Sequence, residues 1–114
     1  MLSPWYPDAG ELVWTDFTPT LGREQSGRRP ALVVSGRLLT ERSGLAIVCP
    51  ITSRVRNYPT GVLLPPGLVV AGEILLSHIR SIDIFARPVA YAGGTIPRWL
   101  AAEVRAKLDA MIRI

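Results

Sequence analysis

The apolar residues of this chain come in short runs cut by Gly and Pro, and that punctuation constrains the fold more than any other feature. Ten Gly and ten Pro are scattered among segments such as Ala31-Leu32-Val33-Val34, Ala46-Ile47-Val48-Cys49 and Gly61-Val62-Leu63-Leu64. Apolar runs this short, closed by turn formers, read as strands, because a helix needs a longer uninterrupted segment and Pro removes a helical donor. The first strand is expected over residues 11–17, with Trp14 and Phe17 as its large side chains. The second covers 31–34 behind Pro30, a residue tolerated at a strand start. A third, over 46–49, stops at Pro50, and a fourth, over 61–64, stops at Pro65-Pro66-Gly67. Residues 72–76 and 82–85 supply further strands, joined through Ser77-His78-Ile79-Arg80-Ser81, read as a single helical turn. After Gly93-Gly94 the period changes from 2 to 3.6. Leu100, Val104, Leu108, and Met111 with Ile112 then share a face opposite Glu103, Arg105 and Asp109, with Pro97 in the first turn. The expectation is a mainly β domain spanning residues 1–114, a barrel or sandwich with a C-terminal α-helix packed on it.

Several classes of function are excluded at this level. No apolar stretch approaches the roughly 20 residues of a membrane span. The opening Met1-Leu2-Ser3-Pro4-Trp5 has neither the basic nor the apolar region of a secretory leader, so a cytoplasmic protein is expected. Cys49 is the one cysteine and His78 the one histidine, which excludes an internal disulfide and leaves too few soft ligands for zinc. Cys49 follows Ala46-Ile47-Val48 and reads as core. Thirteen basic residues stand against nine acidic ones, and twelve of the thirteen are Arg. That bias says more than the net +4, because a guanidinium grips phosphate through a planar fork whereas Lys offers a point charge.

The common catalytic signatures are missing: there is no Gly-rich phosphate loop with Lys, no paired His and no Cys/His arrangement. Any catalysis must therefore use Arg, Glu, Ser or Thr. Two polar segments at strand edges concentrate them, Gly22-Arg23-Glu24-Gln25-Ser26-Gly27-Arg28-Arg29-Pro30 and Pro50-Ile51-Thr52-Ser53-Arg54-Val55-Arg56-Asn57-Tyr58-Pro59.

The order of short motifs is more specific. Gly10-Glu11-Leu12-Val13-Trp14-Thr15-Asp16-Phe17, Pro19-Thr20, Gly22, Glu24-Gln25, Gly27, and Arg29-Pro30-Ala31-Leu32-Val33-Val34-Ser35 resemble the opening of the MazF/PemK toxin family. The likeness continues through Pro50-Ile51-Thr52-Ser53 and Tyr58-Pro59 into Leu76-Ser77-His78-Ile79-Arg80-Ser81-Ile82-Asp83, so it spans nearly the whole chain.

This resemblance implies an SH3-like small β-barrel that forms a homodimer, cleaves single-stranded RNA without a metal or other cofactor, and is occupied by an acidic MazE-like antitoxin. It implies Arg29 and Thr52 as the catalytic pair, with Glu24 in support. The reaction it implies is attack by a ribose 2′-hydroxyl on the adjacent phosphate, giving a 2′,3′-cyclic phosphate and a 5′-hydroxyl. Guanidinium groups stay protonated at neutral pH, so Arg29 suits charge stabilisation, or proton delivery to the leaving oxygen, better than base catalysis. Glu24 is then the available proton acceptor, or else it orients Arg28 or Arg29. RNA contacts are expected from Gln25, Arg28, Ser53, Arg54, Arg56, Ser77, His78 and Arg80. Phe17 could border the groove or belong to the core, and Arg54, Arg56, Asn57 and Tyr58 could form an RNA rim or a solvated loop. Ser77-His78 replaces the Asp-Gln common in the family, which puts the usual base preference in question. Two other functions fit the composition: a CcdB-like gyrase inhibitor sharing the barrel, and a non-catalytic nucleic-acid-binding barrel. The Glu24, Arg29 and Thr52 set favours the ribonuclease.

Overall fold

In a computed structural model, which describes residues 5–17 and 27–114, the chain is a mainly β fold with a C-terminal helix. Its elements are β1 (Glu11–Asp16), β2 (Arg28–Val33), α1 (Arg37–Ser43), β3 (Leu45–Thr52), β4 (Gly61–Leu63), β5 (Glu73–Leu75), a 3₁₀ turn (Leu76–His78), β6 (Arg80–Asp83), β7 (Val89–Thr95) and α2 (Arg98–Met111). The strands run antiparallel to their neighbours in the order β4-β5-β3-β2-β1-β7, with β6 also paired to β3.

β3 is the hub. One edge pairs β2 over Val48–Pro50, while the other pairs β6 over Leu45–Val48 and then β5 over Ile51–Thr52. The expected stop at Pro50 is corrected here, since the strand runs through it. The Val34 N–H reaches Ile47 O at 2.9 Å, and antiparallel pairs alternate between bonded and non-bonded. Pro50 therefore turns its nitrogen away from β2, toward the stretch between Val48 and Ile51 where the partner changes from β6 to β5. No ladder donor is needed at that place, so Pro costs little there.

Strands β1 to β3 are buried on both faces. Leu12, Leu32, Cys49 and Ile51 belong to a cluster with Leu100 and Val104 of α2. Their neighbours Val13, Ala31, Val33 and Val48 belong to a second cluster, with Phe17 and with Ile82 of β6. With a core on each face of these strands, the fold is barrel-like. The helical face expected from the sequence holds at Leu100 and Val104, where burial contributes about 1.5–3 kcal/mol per side chain, and frays toward exposed Ile112.

Two elements carry no clear signal in the sequence. α1 exposes Leu38 and Leu39 and buries only Thr40, so it has no apolar stripe; a hydrogen bond from the Arg37 N–H to Asp8 Oδ1 at 2.9 Å ties down its start. β7 runs through Gly93-Gly94, read above as a break. Its register with β1 shifts between Leu12 and Val13, and Gly93 supplies the positive φ of 99° in this irregularity. No helix among the described residues is long and apolar enough to cross a membrane.

Candidate active site

The adjoining ends of β2 and β3 bring the two sequence-predicted catalytic residues to one cleft. The β2–β3 pairing ends at Ala31 and Pro50, and Arg29 and Thr52 lie just beyond that end on the two strands. Both line one cleft of about 690 Å³. On its other side Thr52 is paired with Glu73 of β5. The strand wall of the cleft thus carries Arg29 from β2 and Thr52 from β3, the latter placed by its pairing with β5.

Local chemistry orients Thr52. Its Oγ1 accepts the Arg54 N–H at 3.1 Å, the turn that Thr favours when a strand ends. With one oxygen lone pair so engaged, the hydroxyl keeps its hydrogen as a donor. The side chain is nearly buried, at 8% exposure. Behind it Gly72 has φ +132°, and a Cβ there would lie 2.1 Å from Thr52 O. Only glycine lets β5 approach this closely.

Two irregular segments form the remaining walls. Residues 53–59 are exposed and carry Ser53, Arg54, Arg56 and Tyr58 to the rim. The 3₁₀ turn supplies Ser77 and His78, the Thr60 hydroxyl donating to Ser77 Oγ at 3.3 Å. His78 Nδ1 is buried with no partner among the described residues. Three guanidinium groups, Arg29, Arg54 and Arg56, line the cleft, and no carboxylate does among the described residues. A second cavity of about 350 Å³, beside α2, is walled mainly by aliphatic side chains such as Leu32, Val104 and Leu108 and offers no such set of phosphate donors.

Of the residues singled out from sequence, Arg29, Thr52, Ser53, Arg54, Arg56, Ser77 and His78 line this one cleft. Glu24 and Gln25 lie outside the described residues. Arg28 is exposed, its guanidinium 4.8 Å from the Trp14 ring centroid. Arg80 is stacked 5.5 Å over Phe17 and is not among the cleft's lining residues. Phe17 is corrected to a core residue. It has no exposed surface and packs with Val13 and Val33, so it presents nothing to an RNA. Thr60 and Leu75 also line the cleft without having been singled out. Glu73 went unnoticed as well, although a carboxylate inside Gly72-Glu73-Ile74-Leu75-Leu76 was a visible anomaly. Charged side chains are rarely fully buried without partners.

Such an arrangement suits a phosphodiester. A cation and a hydroxyl line the same space with two further guanidiniums, a set whose donors match phosphate oxygens.

Comparison with known proteins agrees. The family described as PemK-like, MazF-like toxin of type II toxin–antitoxin system matches residues 8–112. The endoribonuclease toxin MazF of Escherichia coli K12 is 36% identical over 112 residues, covering 98% of this chain and 99% of that protein. Endoribonuclease EndoA of Bacillus subtilis is 35% identical over 79 residues, covering 65% and 68%. Among solved structures, MazF from Deinococcus radiodurans superposes with a TM-score of 0.89 at 45% identity, over 95% of this chain and 97% of that one. A MazE–MazF structure from the same organism gives 0.81 at 42%, over 95% and 96%. With the family match covering nearly its whole length, the chain belongs to the PemK/MazF family of type II toxin–antitoxin toxins.

Proposed function

We propose that the cleft between β2, β3 and the 3₁₀ turn is where this MazF-like endoribonuclease toxin cleaves single-stranded RNA, with Arg29 and Thr52 acting on the scissile phosphate. The observation that carries the reading is that both line one Arg-lined cleft at the adjoining ends of β2 and β3. In the reaction the 2′-oxygen bonds to phosphorus and the bond to the 5′-oxygen breaks. The 2′-hydroxyl proton passes to Glu24, and the departing oxygen takes a proton from water to become a 5′-hydroxyl, the proton on Glu24 neutralising the hydroxide left behind. Negative charge grows on the non-bridging oxygens at the transition state. Arg29 offers paired N–H donors to it and Thr52 a hydroxyl. Arg54 and Arg56 hold flanking phosphates, while Ser77 and His78, at the opposite wall, face the bases.

The cleft also defines the partners. A chain this Arg-rich attracts acidic segments as readily as RNA. The similar Deinococcus radiodurans toxin is known in a MazE–MazF structure. An acidic, extended antitoxin segment filling this cleft would block RNA by competition, and two copies of the chain would present two such clefts as a homodimer.

The test is incubation of the protein with a long single-stranded RNA in excess chelator. Products with 5′-hydroxyl and cyclic phosphate ends are expected. Intact RNA, or cutting only after magnesium is restored, sinks the mechanism.

A further inference from the structure

We infer that Glu73 is a positioning residue for this reaction: a buried carboxylate that holds the rim of the cleft in its RNA-binding shape. The inference rests on the reading of the cleft as the RNA site, and it comes from four observations. Glu73 is 1% exposed although it is charged. Its Oε1 accepts the Arg56 N–H and its Oε2 the Tyr58 N–H, each at 2.9 Å. Between these donors Asn57 has a φ of +54°, the turn that aims alternate N–H groups at one anion. Facing it, Gly61 has no Cβ, and an added one would lie 2.1 Å from Glu73 Oε2.

Burying a carboxylate is costly unless its oxygens are bonded, so this group is fixed by the very loop it organises. Residues 53–59 are otherwise exposed and belong to no helix or strand. Glu73 is also the ladder partner of Thr52. One side chain therefore ties the rim that carries Arg54 and Arg56 to the strand position that carries Thr52. Its carboxyl group touches neither RNA nor the reacting atoms; it acts through the backbone of 56–58.

Glu73→Gln replaces one acceptor by a donor that faces an N–H. With a single-stranded RNA transcript as substrate and chelator present, KM should rise roughly tenfold, the scale of a lost charged hydrogen bond, with kcat within about twofold. Gly61→Ala should do the same by displacing the carboxylate, and the double variant should be no worse than either alone, because both break one element. Amide exchange should quicken at Arg56 and Tyr58 while Val48 and Cys49 stay protected. If Glu73→Gln does not fold, Asn57→Val carries the same test, straining only the turn. An unchanged KM in the folded variants, or additive losses in the double, overturns the positioning role. Arg29→Ala run alongside separates the two readings. If it is inactive while Glu73→Gln keeps the wild-type KM, only the positioning role fails; if Arg29→Ala still cuts, the cleft assignment itself fails and Glu73's role with it.

Discussion

The two walls of the cleft are built by opposite means. Arg29 and Thr52 stand on neighbouring strands, just past the end of a ladder whose residues Ala31, Leu32 and Cys49 are buried. Arg54, Arg56 and Tyr58 stand on exposed backbone that turns through a left-handed Asn57 and is fastened by one carboxylate. A sheet between two cores cannot shift one residue without displacing both, since a slip by one exchanges its faces. A loop held at two N–H groups can change length or composition at little cost to the fold. On the proposed reading the contrast divides labour: bond breaking would belong to the part that cannot drift, and reading of RNA to the part that can.

The largest effect should come from the strand wall. Arg29→Ala is expected to lower kcat by about 10²- to 10³-fold, the loss typical of one transition-state donor. Its thermal midpoint should stay near that of the parent, because the side chain is only half-buried. Arg29→Lys should recover only part of the rate, since an ammonium lacks the paired donors. Single-turnover cleavage of an RNA transcript measures both. If Arg29→Ala lost affinity but kept kcat, the strand wall would be doing the loop's work and the division would collapse.

Next in size is Gly72→Ala. A Cβ there meets Thr52 O at 2.1 Å and the backbone φ of +132° disfavours any L side chain. Stability should fall by about 1–3 kcal/mol through this strain, and kcat should fall by roughly tenfold as Thr52 is pushed off its position. Chemical denaturation and single-turnover rates together check it. A destabilised variant with normal kcat would show that Thr52 tolerates movement.

How much of this division could be read from sequence follows from the same contrast. Arg29 and Thr52 could be singled out because the motifs around them keep an order. Their sharing one cleft could not be read, since strand pairing is a tertiary property. Pro50 misled for a related reason. The rule that Pro ends a central strand assumes one partner per edge, and β3 changes partners beside it. α1 lacked a signal because its Leu38 and Leu39 face outward. Phe17 was ambiguous in type, and only the second core decides it. Glu73 escaped because its role depends on two backbone donors some 15 residues away in the chain, which no local pattern records.

A smaller effect should follow removal of the rim. Arg54→Ala and Arg56→Ala should each raise KM a few-fold and leave kcat alone, as loss of uniform binding does. Each should also flatten the dependence of log KM on log salt by about 0.7, the slope for one phosphate contact on a single strand. A titration of sodium chloride with the RNA transcript gives both numbers. An unchanged slope would mean that these guanidiniums stand in solvent, and the loop wall would lose its RNA role.

The smallest effect is expected at Cys49, three positions before Thr52 on β3 and fully buried beneath α2. Burial raises its thiol from the ordinary 9.0 to about 12. The folded value lies above the unfolded one, so the neutral thiol's contribution to stability is complete below pH 9.0 and is lost as the pH climbs toward 12. At pH 8, then, a thiol-reactive disulfide reagent should modify the native protein no faster than the chain unfolds, because the thiolate is both scarce and covered. Cleavage activity should be untouched by the reagent over the same interval. Rapid labelling at pH 8 without denaturant would mean that β3 opens locally beside Thr52. The strand wall would then be as mobile as the loop, and the rigidity assigned to it would have to come from bound RNA.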